Sequence, residues 1–118
     1  MDIIKRNGES ERYNNNKIAI AIKKSFISTG KTIKDEEIAA MVAEVEQIII
    51  DNPDQRTVEE IQNQVETALM CERYYKVAKS YILYRQKHLE DREVRDKLAF
   101  LMNYCDAKNA ATGSKFDA

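Results

Sequence analysis

At 118 residues the chain has the length of one domain, enough to bury about two-thirds of its unfolded surface without metal or disulfide staples. Lys and Arg total 19 against 20 Asp and Glu, which excludes a global basic field for nucleic acid. A content of 43% hydrophobic and 33% charged residues, with one Pro and three Gly, excludes disordered and collagen-like classes.

No apolar run approaches a membrane span, and Met1-Asp2-Ile3-Ile4-Lys5-Arg6 has no apolar signal core, so a cytoplasmic protein is expected. Cys71 and Cys105 are far apart and lack CxxC spacing. Two reduced structural cysteines are the expectation, with a disulfide or metal pair as the alternative.

The first element reads as a β-hairpin. Ile3-Ile4-Lys5-Arg6 and Glu9-Ser10-Glu11-Arg12-Tyr13 flank Asn7-Gly8, a pair suited to the positive φ angles of a type I′ turn. These strands are short and charged, so the hairpin must lean on other elements.

Helices follow. Asn14-Asn15-Asn16 offers capping oxygens, and Ile18, Ala21, Ile22, Ser25 and Phe26 recur at helical spacing until Gly30 stops the run near Thr29. A second helix begins around Asp35, a plausible cap, and carries Ile38, Met41, Val42, Val45, Ile48 and Ile49. It ends at Asp51-Asn52-Pro53-Asp54, because Pro53 disfavours helix at Asn52. Thr57-Val58-Glu59-Glu60 is a capping box that opens a third helix lined by Ile61, Val65, Ala68 and Leu69. A fourth, long helix holds Tyr74, Val77, Ala78, Tyr81, Ile82 and Arg85. Its pattern continues past His88 through Val94, Leu98, Leu101 and Met102. Asp106 to Ala118 carries no apolar stripe and reads as a linker. The expected fold is mainly α (α+β): an N-terminal hairpin lid over a four-helix bundle.

Catalytic readings fail. The single histidine, His88, lies in a highly charged stretch, and no GxGxxG, Walker, HExxH or GxSxG motif occurs. Glu36-Glu37, Glu59-Glu60 and Glu90-Asp91 fall on faces expected to be solvated. The hairpin is different. Lys5 and Arg6 are adjacent before a turn, and Glu11, Asn14 and Lys17 follow. Lys is a compact charge, Arg a bidentate fork, and a helix start offers free amides; together these suit phosphate. The plainer reading is a solvent-facing hairpin with alternating charge.

Ile4-Lys5-Arg6-Asn7-Gly8-x-x-Glu11-x-Tyr13-Asn14-x-x-Lys17-Ile18-x-x-Ala21-Ile22 resembles the opening of the ATP-cone family and runs without a gap. Thr57-Val58-Glu59-Glu60-Ile61-Gln62-x-x-Val65-Glu66 resembles that family's T-x-x-x-I-x-x-x-V-E helix. Ala78-x-x-Tyr81-x-x-Tyr84-Arg85 resembles its closing A-x-x-Y-x-x-Y-R helix. The resemblance implies a cone over residues 1–92, with 93–118 as helix extension and linker toward a catalytic domain. It also implies an ATP or dATP effector, with Mg2+, between hairpin and helices.

Position by position, the resemblance gives Ile4 a backbone contact to the base and gives Lys5, Arg6 and Lys17 the phosphates. Glu11 and Asn14 fall near base and sugar, with Ile18 beside them. Thr57 and Gln62 line the pocket from the third helix, and Tyr81 and Arg85 from the fourth. Gln62 and Gln86 stand where relatives often carry other residues. Each has a plainer role: Thr57 as a cap, Tyr81 as core, Arg85 as the partner of an acid, Tyr13 as hairpin packing.

Cones occur on ribonucleotide reductases and on a transcriptional repressor of reductase genes, whose four-cysteine zinc ribbon is lacking here. Tyr104-x-x-Ala107-x-Asn109-Ala110-Ala111-x-Gly113-Ser114-Lys115-Phe116-Asp117-Ala118 resembles the segment that joins cone to catalytic domain in anaerobic, glycyl-radical ribonucleoside-triphosphate reductases. The implied function is allosteric control of such an enzyme's overall activity, by a chain with no catalysis of its own. The implied partners are the parent catalytic domain and further copies of the cone, with no direct nucleic acid and no membrane. The alternatives are the nucleotide-sensing cone of a repressor and a ligand-free helical interaction module.

Overall fold

The computed structural model describes residues 2–5, 7–87 and 89–112. Arg6, His88 and the stretch 113–118, which carry expectations above, lie outside the described residues. The element order is β1 (Asp2–Ile4), β2 (Ser10–Arg12), α1 (Asn15–Ser28), α2 (Asp35–Asp51), a 3-10 turn (Pro53–Gln55), α3 (Val58–Cys71), α4 (Tyr75–Arg85) and α5 (Asp91–Thr112). The fold is a hairpin over a helical bundle, as the pattern implies, with one helix more.

The hairpin is antiparallel, with Ile3 opposite Glu11. Its turn is not type I′. Pairing closes where the Lys5 N–H donates to the Glu9 carbonyl and the Gly8 N–H to the Lys5 carbonyl. Only Gly8 takes positive φ there (+84°) among the described residues; Asn7 instead accepts the Glu9 N–H on its side chain. Asparagine's short amide forms this local bond readily and removes the need for a second left-handed residue.

Asn14 caps α1, its side chain accepting from the Asn16 N–H at 3.0 Å. Gly30 ends it at φ +72°. Its N–H donates to the Ile27 carbonyl and that of Lys31 to Phe26, the paired bonds of a Schellman cap. Lys34, not Asp35, is the cap residue of α2, and it makes no side-chain cap bond. Asp35, Glu36 and Glu37 sit in the first turn, where negative charge favours the helix dipole. The Thr57 hydroxyl caps α3, accepting from the Glu60 N–H at 3.1 Å.

The long fourth helix of the expectation is two helices. α4 ends at Arg85, where Gln86 leaves helical geometry (φ −131°, ψ 75°). Between it and α5 only Leu89 is apolar in Gln86-Lys87-His88-Leu89-Glu90, so a straight continuation buries nothing. The break lets α5 fold back. Val94, Leu101 and Cys105 then join Phe26, Ile22, Ile49, Leu69 and Ile82 in one core. The tail read as linker is helical through Thr112.

The expectation of two reduced cysteines fails. Cys71, the last residue of α3, is disulfide-bonded to Cys105 of α5, 34 positions on. Helix packing brings their Cα atoms to 5.2 Å, a proximity that spacing along the chain does not encode. Closing such a loop disfavours the unfolded chain by about 3–4 kcal/mol.

Candidate functional site

Backbone bonds fasten the hairpin to the start of α3. The Ile4 N–H donates to the Arg56 carbonyl at 2.8 Å, and Ile4 forms a parallel bridge with Thr57. On the other side the Tyr13 hydroxyl donates to Glu46 Oε1 of α2 at 2.9 Å. Burial first, then that carboxylate, raises the Tyr13 pKa. The hairpin is therefore held at both edges, and a cleft of about 150 Å³ opens beneath it.

The hairpin and three helices, α1, α3 and α4, build the cleft. Ile3, Ile18, Ala21, Val58 and Ile61 form apolar walls, Tyr13 and Tyr81 supply rings, and Glu11, Asn14, Lys17 and Gln62 are the polar groups. Tyr81 is both core and lining: 3% exposed, its hydroxyl is pushed up to about 12 by burial and by the charge of Glu66. Gln62 holds the most telling atom. Its Oε1 is buried and accepts no hydrogen bond among the described residues. An amide oxygen so placed is left at a cost of about 1–3 kcal/mol until a donor reaches it.

At the mouth, Glu11 Oε2 lies 3.6 Å from Lys5 Nζ and 3.7 Å from Lys17 Nζ. These lysine side chains are 43% and 69% exposed, so the pairs are weak and easily exchanged for another anion. Of the expected residues, Glu11, Asn14, Lys17, Ile18, Gln62 and Tyr81 line the cleft. Lys5 reaches its rim through Glu11, and Ile4 and Thr57 stand at the hairpin–α3 junction.

Arg85 lies elsewhere. Its side chain is 4% exposed and donates to Glu66 Oε2 and Glu59 Oε2, each at 2.7 Å, and to Asn63 Oδ1. Burial works to lower its pKa, but the bonds to Glu59 and Glu66 outweigh it and the net shift is upward. Lys97 of α5 adds a second cation 2.6 Å from Glu66 Oε1.

The residues that pattern reading misses are the apolar walls Ile3, Ala21, Val58 and Ile61 and the anchor Glu46. Helical periodicity marks such residues as core and cannot say which core faces a void. Among the described residues no group of three or more His, Cys, Asp or Glu is placed to hold a metal ion, and no helix is long and apolar enough to cross a membrane.

A family model described as "ATP cone domain" matches residues 1–90. The chain is 35% identical over 107 residues to the ribonucleoside-diphosphate reductase subunit alpha of Chlamydia trachomatis, covering 82% of this chain and 10% of that protein. It is 36% identical over 116 residues to the vitamin B12-dependent ribonucleoside-diphosphate reductase of Thermoplasma acidophilum, covering 86% and 14%. The subunit alpha of Treponema pallidum gives 35% over 105 residues, covering 84% and 12%. The chain thus spans about a tenth of the length of these relatives.

Proposed function

We propose, from the premise that this chain belongs to the ATP-cone domain family, that it binds ATP or dATP and regulates the overall activity of an attached ribonucleotide reductase. The observation that carries the binding half is the unpartnered, buried Oε1 of Gln62 in a mostly apolar cleft. An adenine ring fits such walls, and its exocyclic amino group is the donor that oxygen lacks. Glu11 then accepts from ribose hydroxyls, and the phosphates leave the cleft toward Lys17 and Lys5; Arg6 is a phosphate ligand on the strength of the sequence resemblance alone. The cleft is smaller than the roughly 300 Å³ at which whole-ligand pockets begin, consistent with the nucleoside entering and the phosphates staying at the mouth.

The residues present suit a triphosphate. Mg2+, in this reading, comes with the phosphates, whose oxygens are its preferred ligands. The protein's part is to hold the base, read the sugar and exchange the Glu11 pairs for phosphate pairs. Since Glu11 sits on β2 and Gln62 on α3, a nucleotide that spans both pulls on the junction at Ile4 and Thr57. Regulation requires that ATP and dATP favour different arrangements of that junction, because equal affinity for two states shifts neither.

We place the cone proper in residues 1–92 and the connection to a catalytic domain in 93–118. An anaerobic parent rests on the tail that ends Asn109-Ala110-Ala111-x-Gly113-Ser114-Lys115-Phe116; the relatives above are named diphosphate reductases, one B12-dependent. A cytoplasmic setting and assembly of cones with one another belong to the same proposal. A thermal melt tests its core: ATP or dATP at 100 times its Kd adds about 2.7 kcal/mol of stability. No shift with either nucleotide at millimolar concentration sinks it.

A further inference from the structure

The Cys71–Cys105 bond takes no part in the cleft, and its placement gives it a role of its own. α5 runs along α3 in the same direction: Lys97 meets Glu66, and further on Cys105 meets Cys71 and Asp106 meets Arg73. Among the described residues the disulfide is the one covalent side-chain cross-link between the two helices. Past Leu101 and Cys105, α5 offers few buried side chains; Phe100, Met102 and Tyr104 are exposed. The Arg73–Asp106 pair is exposed on both sides at 3.3 Å and by itself holds little. Beyond the burial of Leu101, the disulfide is the strongest of the described contacts that hold the distal half of α5. Segments with few buried contacts open locally at low cost once such a link is gone.

We propose that Cys71–Cys105 is a site of reversible thiol–disulfide exchange with a dithiol reductant, and that its state decides whether the distal half of α5 is fastened to α3. In the cytoplasmic setting proposed above, thiols are kept reduced, so a disulfide there is made and broken rather than permanent. Cys105 is buried at 3% exposure, whereas Cys71 is half-buried at the end of its helix and lines a small surface depression with Thr67 and Tyr104. Attack therefore falls on the Cys71 sulfur.

The exchange balances. A thiolate of the dithiol bonds to Cys71 Sγ, the Cys71–Cys105 bond breaks, and Cys105 leaves as thiolate and takes a proton. The second thiol of the reductant then displaces Cys71. Two cysteine thiols and one oxidised dithiol result, and two electrons pass to the protein.

The cleft lies at the opposite end of α3, lined by Val58, Ile61 and Gln62. Cys71 lies nine positions beyond Gln62, about 14 Å along a helix, with the Glu66–Arg85–Lys97 cluster between them. Reduction thus frees the distal half of α5 while leaving the cleft in place. The inference stands on the packing of α3 and α5 and not on what the cleft binds.

The 118-residue protein tests it, without nucleotide. Under native conditions, dithiothreitol followed by an alkylating agent labels both cysteines. The melting temperature falls by about 10 °C. Amide exchange quickens most in residues 101–112, by about tenfold or more beyond whatever change the hairpin and residues 58–66 show. Cys71→Ser reproduces the reduced pattern without reductant. A bond that yields only in denaturant overturns the proposal. So does exchange that is unchanged or rises evenly over the whole chain, since the bond is then an inert or a global staple. An ATP titration of the oxidised protein separately tests the cleft.

Discussion

Two clusters of three or more charges stand out among the described residues, and they differ in kind. In the α3–α4–α5 cluster, Arg85 and Glu66 are 4% and 1% exposed and meet at 2.7 Å, with Lys97 at 2.6 Å. At the cleft mouth, Lys5 and Lys17 are largely in water and stand 3.6 and 3.7 Å from one carboxylate. The buried cluster spends its charges on itself and fixes three helices. The open one leaves its charges exchangeable, beside a buried oxygen that lacks a donor. Availability, rather than the presence of basic residues, separates a binding site from a structural one.

The largest effect expected from this contrast is on folding. Arg85→Met leaves Glu66 buried with one cation in place of two, and unfolding in urea is expected to show a loss of about 3–5 kcal/mol. A loss under about 1 kcal/mol shows that Arg85 is free for other work, and the contrast breaks.

Gln62→Leu runs the other way. It removes the unpartnered oxygen, so the unliganded protein keeps or gains stability, while calorimetry is expected to show ATP bound about 1–3 kcal/mol more weakly. Parallel loss of folding and binding in this variant places Gln62 in the structural class. Lys5→Ala and Lys17→Ala sharpen the same point. Each changes folding by less than about 1 kcal/mol and weakens ATP by about 1–3 kcal/mol, an effect that added salt diminishes.

Thr57 sits where the two regions join. Thr57→Ala is expected to cost about 1 kcal/mol of folding through the lost cap. Thr57→Asp keeps a cap, preserves the unliganded melting temperature and repels phosphate. Equal ATP affinity in Thr57→Asp and parent makes Thr57 a cap alone.

Tyr81 gives the smallest effect. Its pKa is raised from 10.0 to about 12, so between those values the folded state keeps a proton that the unfolded chain releases. Stability therefore falls as pH rises through that window. Melting temperatures across it should decline less steeply for Tyr81→Phe than for the parent; identical slopes contradict the buried hydroxyl.

Much of this was legible in the sequence because the signals are local. Asn14 and Thr57 announce helix starts, Gly30 announces a stop, and the stripe Ile18, Ile22, Phe26 states a buried face. What stayed hidden depends on contacts across the chain. Arg85 carries the same fork whether it meets phosphate or Glu66, and only the fold shows two carboxylates already there. The break after Arg85 was masked because Val94, Leu98 and Leu101 continue a helical rhythm on a different axis. The cysteines gave no sign of meeting, because their proximity arises from α5 lying along α3.

The central claim is that nucleotide enters the hairpin cleft and leaves the buried cluster alone. An NMR titration of isotope-labelled protein with ATP reads both regions at once. The account predicts shifts of the backbone amides of Glu11, Asn14, Lys17 and Gln62 that saturate together, with those of Glu66, Lys97 and Cys105 nearly still. Saturating shifts centred on Glu66 and Lys97, with the cleft unmoved, contradict it.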